Sequence, residues 1–125
     1  MPTVKVPRFI TADWLRSLGA CSTQVQRFRR LFPDGCRFNQ KNAARAGAAG
    51  MTIWWFRLKV MSDSEEARFL AACRPSDRRH DERVEANPSQ RSFRRSIRIM
   101  HSEQAVEVAR IINARARRPK AAKAA

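Results

Sequence analysis

Four arginines lie close together in the last third of the chain, at positions 91, 94, 95 and 98. Spacings of three, four and seven residues place side chains on one face of an α-helix. A guanidinium group forms fork-like hydrogen bonds with phosphate oxygens, and each neutralised phosphate releases condensed counterions. The spacing of Arg91, Arg94, Arg95 and Arg98 therefore favours contact with a phosphate backbone.

The overall charge also indicates a polyanionic partner. The chain of 125 residues has 26 basic and 11 acidic side chains, which is a net charge of +15 at pH 7. Residues 1–60, 61–88 and 89–125 carry +9, −2 and +8, so two basic regions flank a slightly acidic spacer. This excess needs a partner or a counterion atmosphere. Further predicted nucleic-acid contacts are Arg115, Arg117, Arg118 and Lys120, with a second patch at Arg27 and Arg30.

Sequence-specific recognition of bases has little support in the sequence. The first two predicted helices resemble a degenerate helix-turn-helix, but any helical hairpin would give that pattern. Trp54 and Trp55 are able to stack on bases, although packing in the core is the favoured interpretation. We therefore predict binding through charge, and the choice between DNA and RNA stays open.

The remaining reactive residue types have simpler structural interpretations than catalysis. His80, within SDRRHDER, fits a solvated helix histidine better than a general base, and Cys21 fits a small residue at a helix start. The carboxylates at 63–66 and 81–85 are typical of helix surfaces. Three cysteines without a C-x-x-C pair, and two distant histidines, do not match a zinc site. We predict no enzymatic activity, no metal and no cofactor.

The elements that must position these side chains are predicted to be helices. Thr11 and Asn39 are candidate N-caps, Ser62 and Glu65 form a candidate capping box, and Pro33-Asp34-Gly35 is a strong turn signal. Asn87-Pro88 interrupts the pattern. The predicted helical segments are 11–19, 22–32, 39–47, 53–61, 62–74 and a polar stretch that Pro75 opens and that ends near 86.

The arginine-rich segment itself permits two interpretations. As a helix, Ser89–Met100 puts Phe93, Ile97 and Met100 opposite the arginines, whereas Ser96–Ile99 also alternates as a strand would. The helix accounts for more residues, so we prefer it. It either continues to about Arg117 or restarts at Ser102.

Together these elements predict an all-α protein, a small bundle of five to six short helices. The expected order is a basic arm or edge strand at 1–10, a helical domain at 11–86, a basic amphipathic helix at 87–117 and a disordered basic tail at 118–125. The predicted core consists of Trp14, Val25, Phe28, Phe32, Trp54, Phe56, Leu58, Phe69 and Leu70.

The segment WLRSLGACSTQVQRFRRLFPDG, with the later NAARAGAAGMTIWW and FLAACRP, resembles a group of small helical proteins of bacteria and their phages. The resemblance covers about residues 11–86 and rests on a W-L…G-A-C…Q-V…F…F-P-D-G hairpin. It implies a phage or mobile-element origin and assigns no active site. The arginine-rich far end, and the lack of tyrosine, depart from the group's pattern.

The leading hypothesis is a non-enzymatic nucleic-acid-binding protein with little sequence specificity. One alternative is a protein-interaction module, such as an anti-defence inhibitor, that binds an acidic or nucleic-acid-bearing host complex. A second alternative is an anionic membrane surface, which would require Phe93, Ile97 and Met100 to be exposed. No apolar run has the length of a membrane span and no apolar leader is evident, so we expect a cytoplasmic protein.

Overall fold

The computed structural model describes residues 4–117, with side chains as far as Arg115. This part of the chain forms six α-helices, one pair of very short strands and a final 3₁₀ turn, which confirms the predicted all-α bundle. The helices are α1 (Ala12–Leu18), α2 (Ser22–Leu31), α3 (Gln40–Ala48), α4 (Ile53–Val60), α5 (Asp63–Ala86) and α6 (Gln90–Asn113); the strands are β1 (Phe9–Ile10) and β2 (Cys36–Arg37); the 3₁₀ turn is Ala114–Arg117.

Local signals in the sequence set where most helices begin. The Thr11 hydroxyl accepts a hydrogen bond from the Trp14 amide, and the Asn39 side chain accepts one from the Asn42 amide. Ser62 and Glu65 form a full capping box at the start of α5. These bonds satisfy amide groups that a helix leaves without partners in its first turn, so the predicted caps are confirmed.

Within residues 4–10, the edge-strand alternative is realised only at Phe9 and Ile10. Phe9 pairs with Arg37 and Ile10 with Cys36 in an antiparallel register. Gly35, with φ of +83°, turns the chain into β2, and a Cβ atom there would lie 2.6 Å from the Ile10 carbonyl oxygen. The turn between α2 and β2 therefore depends on a glycine.

The two longest helices differ from the expected segmentation. Pro75 lies inside α5 and does not start a new helix, so the segments 62–74 and 75–86 are one element. α6 is continuous from Gln90 to Asn113, which excludes both a strand at 96–99 and a restart at Ser102. Pro75 removes one backbone hydrogen bond from α5. The long packing interface between α5 and α6 compensates for that loss, so α5 continues past the proline.

The core depends on α6 more than the sequence analysis predicted. The carboxyl-terminal half of α6 buries Ala105, Val108, Ala109, Ile111 and Ile112, which the predicted core did not contain. α3 approaches this half so closely that a Cβ atom on Gly47 would lie 2.6 Å from the His101 carbonyl oxygen. Residues 90–113 are therefore part of the folded bundle rather than an appended helix.

The predicted core is correct on α2 and only partly correct on α4 and α5, since Phe56 packs against the core while Trp54 and Leu58 do not. Val25, Phe28, Phe32 and Phe69 are buried, whereas Trp54, Leu58 and Leu70 are 62%, 54% and 53% exposed, and Trp14 and Phe56 are half-buried. The reason is Arg57, which is only 2% exposed, forms an ion pair with Glu66 and lies over the rings of Trp54 and Phe69. With Arg57 turned inward, α4 presents Trp54 and Leu58 to solvent.

A second buried ion pair joins the two ends of the described chain. The Arg115 guanidinium donates to both carboxylate oxygens of Glu65, over 2.7 and 2.6 Å. It also donates to the carbonyl oxygens of Val4 and Val60. Glu65 accepts the Ser62 amide as well, so one carboxylate ties the start of α5 to the amino-terminal arm, the end of α4 and the 3₁₀ turn.

We expect Arg115→Gln to lower the free energy of unfolding by about 3 to 5 kcal/mol, because it leaves the Glu65 carboxylate buried without its cation. Arg110→Gln is the matched control, since Arg110 pairs with Glu107 on the surface and such pairs contribute about 1 kcal/mol or less. Urea unfolding measures both variants. Equal losses in the two would contradict a structural role for Arg115.

The same pair predicts a dependence of stability on acid pH. The hydrogen bond from Arg115 lowers the pKa of Glu65 from its usual 4.5 to about 2. Because the folded state holds the carboxylate ionised, this stabilisation is present above about pH 4.5 and is lost as the pH falls towards about 2. The stability difference between the wild type and Glu65→Gln should shrink over that range. A constant difference would mean that the ion pair does not supply the stabilisation.

Candidate nucleic-acid interface

The four arginines predicted to form one helix face do so, and they line one open groove. Arg91, Arg94, Arg95 and Arg98 are all exposed on the amino-terminal half of α6. The groove has a volume of about 930 Å³, and its other lining residues are Ala48, Gln90, Ile99, Ser102 and Glu103. Ala48 is the last residue of α3, so the groove lies where α6 extends beyond the end of that helix.

The position of the groove follows from the size of the side chains on α6. Residues at intervals of seven lie close to one line along a helix. On α6 that line contains Arg91 and Arg98, which are exposed, and then Ala105 and Ile112, which are buried. Helix α3 packs along α6, and its Gly47 lies against the backbone of His101 and Ser102, just before the buried part of the line. The same face of α6 is therefore a core surface at one end and a cationic surface at the other.

The groove concentrates charge that neighbouring carboxylates do not neutralise. Among the described residues, none of the four arginines forms an ion pair. The one acidic side chain in the groove, Glu103, is paired with Arg79 of α5. Unscreened cations in a concave surface attract anions more strongly than cations distributed over a convex one.

Arg115 lies away from the arginine groove and is bonded inside the fold, which disfavours the nucleic-acid contact that the sequence predicted for it. Its side chain is 25% exposed, and all three of its nitrogen atoms donate to Glu65, Val4 or Val60. Four of the five N–H groups of this guanidinium are therefore engaged inside the fold, and Glu65 already balances its charge, so little of its capacity is left for a phosphate.

The second predicted patch, on α2, is not part of the groove. Arg27 is half-buried and donates a 2.8 Å hydrogen bond to the Gly50 carbonyl, whereas Arg30 is exposed. Neither residue lines the groove. Arg118 and Lys120 lie outside the described residues, as does the side chain of Arg117.

The opposite face of α6 packs largely against the fold. Ile97 and Met100 are half-buried, and Phe93, 45% exposed, makes an edge-on contact with the His80 ring at 5.4 Å. Within residues 4–117, no helix combines the length and the apolar character that crossing a bilayer requires.

His80 lies within 2.8 Å of a hydroxyl group, but the arrangement is structural. Its Nδ1 atom contacts Ser96 Oγ, which also accepts a hydrogen bond from Arg83 Nε over 2.7 Å. Ser96 is only 1% exposed, so its hydroxyl cannot reach a substrate. The three side chains join α5 to α6 directly behind the arginine groove.

The thiols and carboxylates form no reactive cluster in the part of the chain that is described. Burial raises the pKa of Cys36 to about 11 and that of Cys73 to about 12, so both thiols stay protonated at neutral pH. No group of three or more potential metal ligands occurs among residues 4–115. Cys21, the N-cap residue of α2, is exposed and makes no side-chain capping bond.

Sequence reasoning missed the contribution of α3, whose last residue, Ala48, lines the groove beside α6. Helix α3 was predicted from its cap and its alanines, but its contact with α6 was not. The sequence did contain a signal for this contact. Small residues are concentrated in AARAGAA, which covers the second half of α3 and the residue after it, and again at Ala105 and Ala109 of α6. Small side chains on two helices permit a close approach of their backbones, which is what Gly47 shows here.

Comparison with known proteins adds no assignment to this geometry. No family model, no curated protein and no solved structure matches the chain. The kinship of residues 11–86 with small helical bacterial and phage proteins therefore stays a prediction.

Proposed function

We propose that this protein binds nucleic acid without catalysis, by holding the phosphate backbone in the groove beside α6. The observation that carries the proposal is the set of four exposed arginines, none paired with a described carboxylate, on the wall of one concave surface. Guanidinium groups recognise phosphate through charge and through two parallel hydrogen bonds.

The length of the arginine face suits a short stretch of backbone. Arg91 and Arg98 are seven residues apart, which is about 10 Å along a helix. One strand of B-DNA carries a phosphate every ~3.4 Å of axis, so the face spans about three phosphates. The only uncharged polar side chains in the groove are Gln90 and Ser102, and the Ser102 hydroxyl donates to Ala44. Binding by charge, with little base specificity, follows from that composition.

The fold holds the arginine face rigidly, which favours affinity. The hydrogen bonds of Ser96 with His80 and Arg83, and the Arg79–Glu103 ion pair, fasten this half of α6 to α5. A surface that is already ordered loses less conformational entropy on binding than a flexible basic segment does.

The decisive variant changes Arg94, Arg95 and Arg98 together to Gln. We expect weaker binding to all sequences alike. We also expect the slope of log affinity against log salt concentration to decrease in magnitude by about 2 to 3. The reason is that each lost phosphate contact removes about 0.9 from this slope on duplex DNA. Titration of labelled duplex DNA and single-stranded RNA between about 50 and 200 mM salt measures both quantities.

A matched control removes the same charge elsewhere. Arg68, Arg74 and Arg78 are exposed on α5, lie outside the groove and form no ion pair with a described residue. Changing these three to Gln should reduce the slope much less, since these side chains do not line the groove and salt screens charges that make no direct phosphate contact. Equal effects of the two triple variants would contradict a groove-specific contact. Absence of binding by the wild type at low salt would reject the proposed function.

A further inference from the structure

A second concavity lies on the other side of the α3 terminus. It has a volume of about 270 Å³, and its lining includes Trp54, Leu70, Asp77, His101 and Gln104. Pockets for drug-sized ligands begin at about 300 Å³, so this space suits a single small ring system. It contains the most exposed large hydrophobic side chain described, Trp54, at 62%.

The Trp54 indole is held in place although it is exposed. The Arg57 guanidinium lies 4.4 Å from the centre of the Trp54 ring and 5.1 Å from that of Phe69. Arg57 is itself buried and paired with Glu66. The indole therefore has one face supported by a fixed cation and presents the remainder of its surface to solvent. A rigid, exposed aromatic ring is a platform on which another flat ring can stack.

The polar groups around this platform match the edges of a nucleobase. Gln104 Nε2 donates to Asp77 Oδ1 over 2.7 Å, and the Gln104 carbonyl oxygen and Asp77 Oδ2 accept no hydrogen bond from a described residue. Burial lowers the pKa of His101, which favours the uncharged form of its ring. Amide and carboxylate oxygens accept hydrogen bonds from the donor groups on base edges, which are the amino groups of adenine, cytosine and guanine and the ring N–H of thymine and uracil.

The pocket and the arginine groove are adjacent. His101 lines the pocket and Ser102, the next residue of α6, lines the groove. On α3 and the turn after it, Ala48 lines the groove and Gly50 lines the pocket. The Arg27 guanidinium lies against Gly50, which adds positive charge at the pocket edge.

We infer that the protein prefers single-stranded nucleic acid, with phosphates along the arginine groove and one unstacked base on Trp54. The inference rests on the proposed function and adds the class of nucleic acid. A base in a duplex is already stacked on both sides and cannot reach the indole, whereas bases of a single strand are free to stack on aromatic side chains. The charge of the adjacent groove favours this occupant over an apolar protein segment.

The first test compares ligands on the wild type. The probes are an oligothymidylate of about ten nucleotides, an abasic strand of the same length and a duplex of the same length. We expect the oligothymidylate to bind more tightly than the abasic strand does. We also expect the oligothymidylate to quench tryptophan fluorescence, and the abasic strand and the duplex not to. Equal affinity of the oligothymidylate and the abasic strand would overturn the inference while leaving the proposed function intact.

The second test changes the platform. Trp54→Leu keeps an apolar side chain and removes the aromatic face, so we expect affinity for oligothymidylate to fall about 5- to 150-fold. Affinity for the abasic strand and for the duplex should not change. Trp54→Phe should retain most of the affinity and lose the quenching. Thermal melts of both variants confirm that the fold is intact.

The matched control is Leu58→Ala, since Leu58 is exposed one turn further along α4. We expect it to bind oligothymidylate as the wild type does. A loss as large as that of Trp54→Leu would show that the surface acts as a general apolar patch, as for a protein partner, and would overturn the inference. If the wild type binds neither the single strands nor the duplex at low salt, that result rejects the proposed function itself. Binding of the duplex without a preference for strands that carry bases rejects only the inference.

Discussion

The carboxylate of Glu65 is the interaction on which the remainder of the structure depends. It is 3% exposed, and it completes the capping box of α5 while accepting two hydrogen bonds from Arg115. Through Arg115 it holds the backbone at Val4 and at Val60. A buried carboxylate must be fully paired, because the cost of leaving it unpaired exceeds most single contributions to stability. The ends of the described chain are thereby placed against the start of α5.

Two groups of arginines in the described chain have opposite environments. Arg57 and Arg115 are directed inward, where Glu66 and Glu65 neutralise them, and they act as structural cations. The four arginines in the first half of α6 form no ion pair with a described carboxylate, so their charge is not neutralised within the fold. The excess of +15 is thus not spread evenly over the surface. Part of it stabilises the core, and another part forms one groove.

The close contact of α3 with α6 is the constraint that shapes the arginine groove. Gly47 allows the two backbones to meet at His101 and Ser102. Beyond that point α3 ends, and the covered face of α6 becomes an open one. Residues next to this contact line both concavities, Ala48 and Ser102 the arginine groove and Gly50 and His101 the Trp54 pocket, so one helix packing shapes two surfaces of different composition.

The sequence by itself determined the helices and the arginine face. Caps such as Thr11, Asn39 and Ser62 act within a few residues, and the spacing of arginines on α6 is a property of one helix, so both could be derived locally. Continuity of α5 through Pro75 could not be derived, because it depends on packing against α6.

Only the tertiary structure decided which residues of each helix are inside. Hydropathy places Trp54 in the core and Arg57 outside, and the structure reverses both because Glu66 and two aromatic rings surround the guanidinium. Arg115 equally resembled a phosphate ligand until its partner, 50 residues away in sequence, was known. Charge pairing between distant segments is a three-dimensional property, and it determined which cations are structural and which are free to bind.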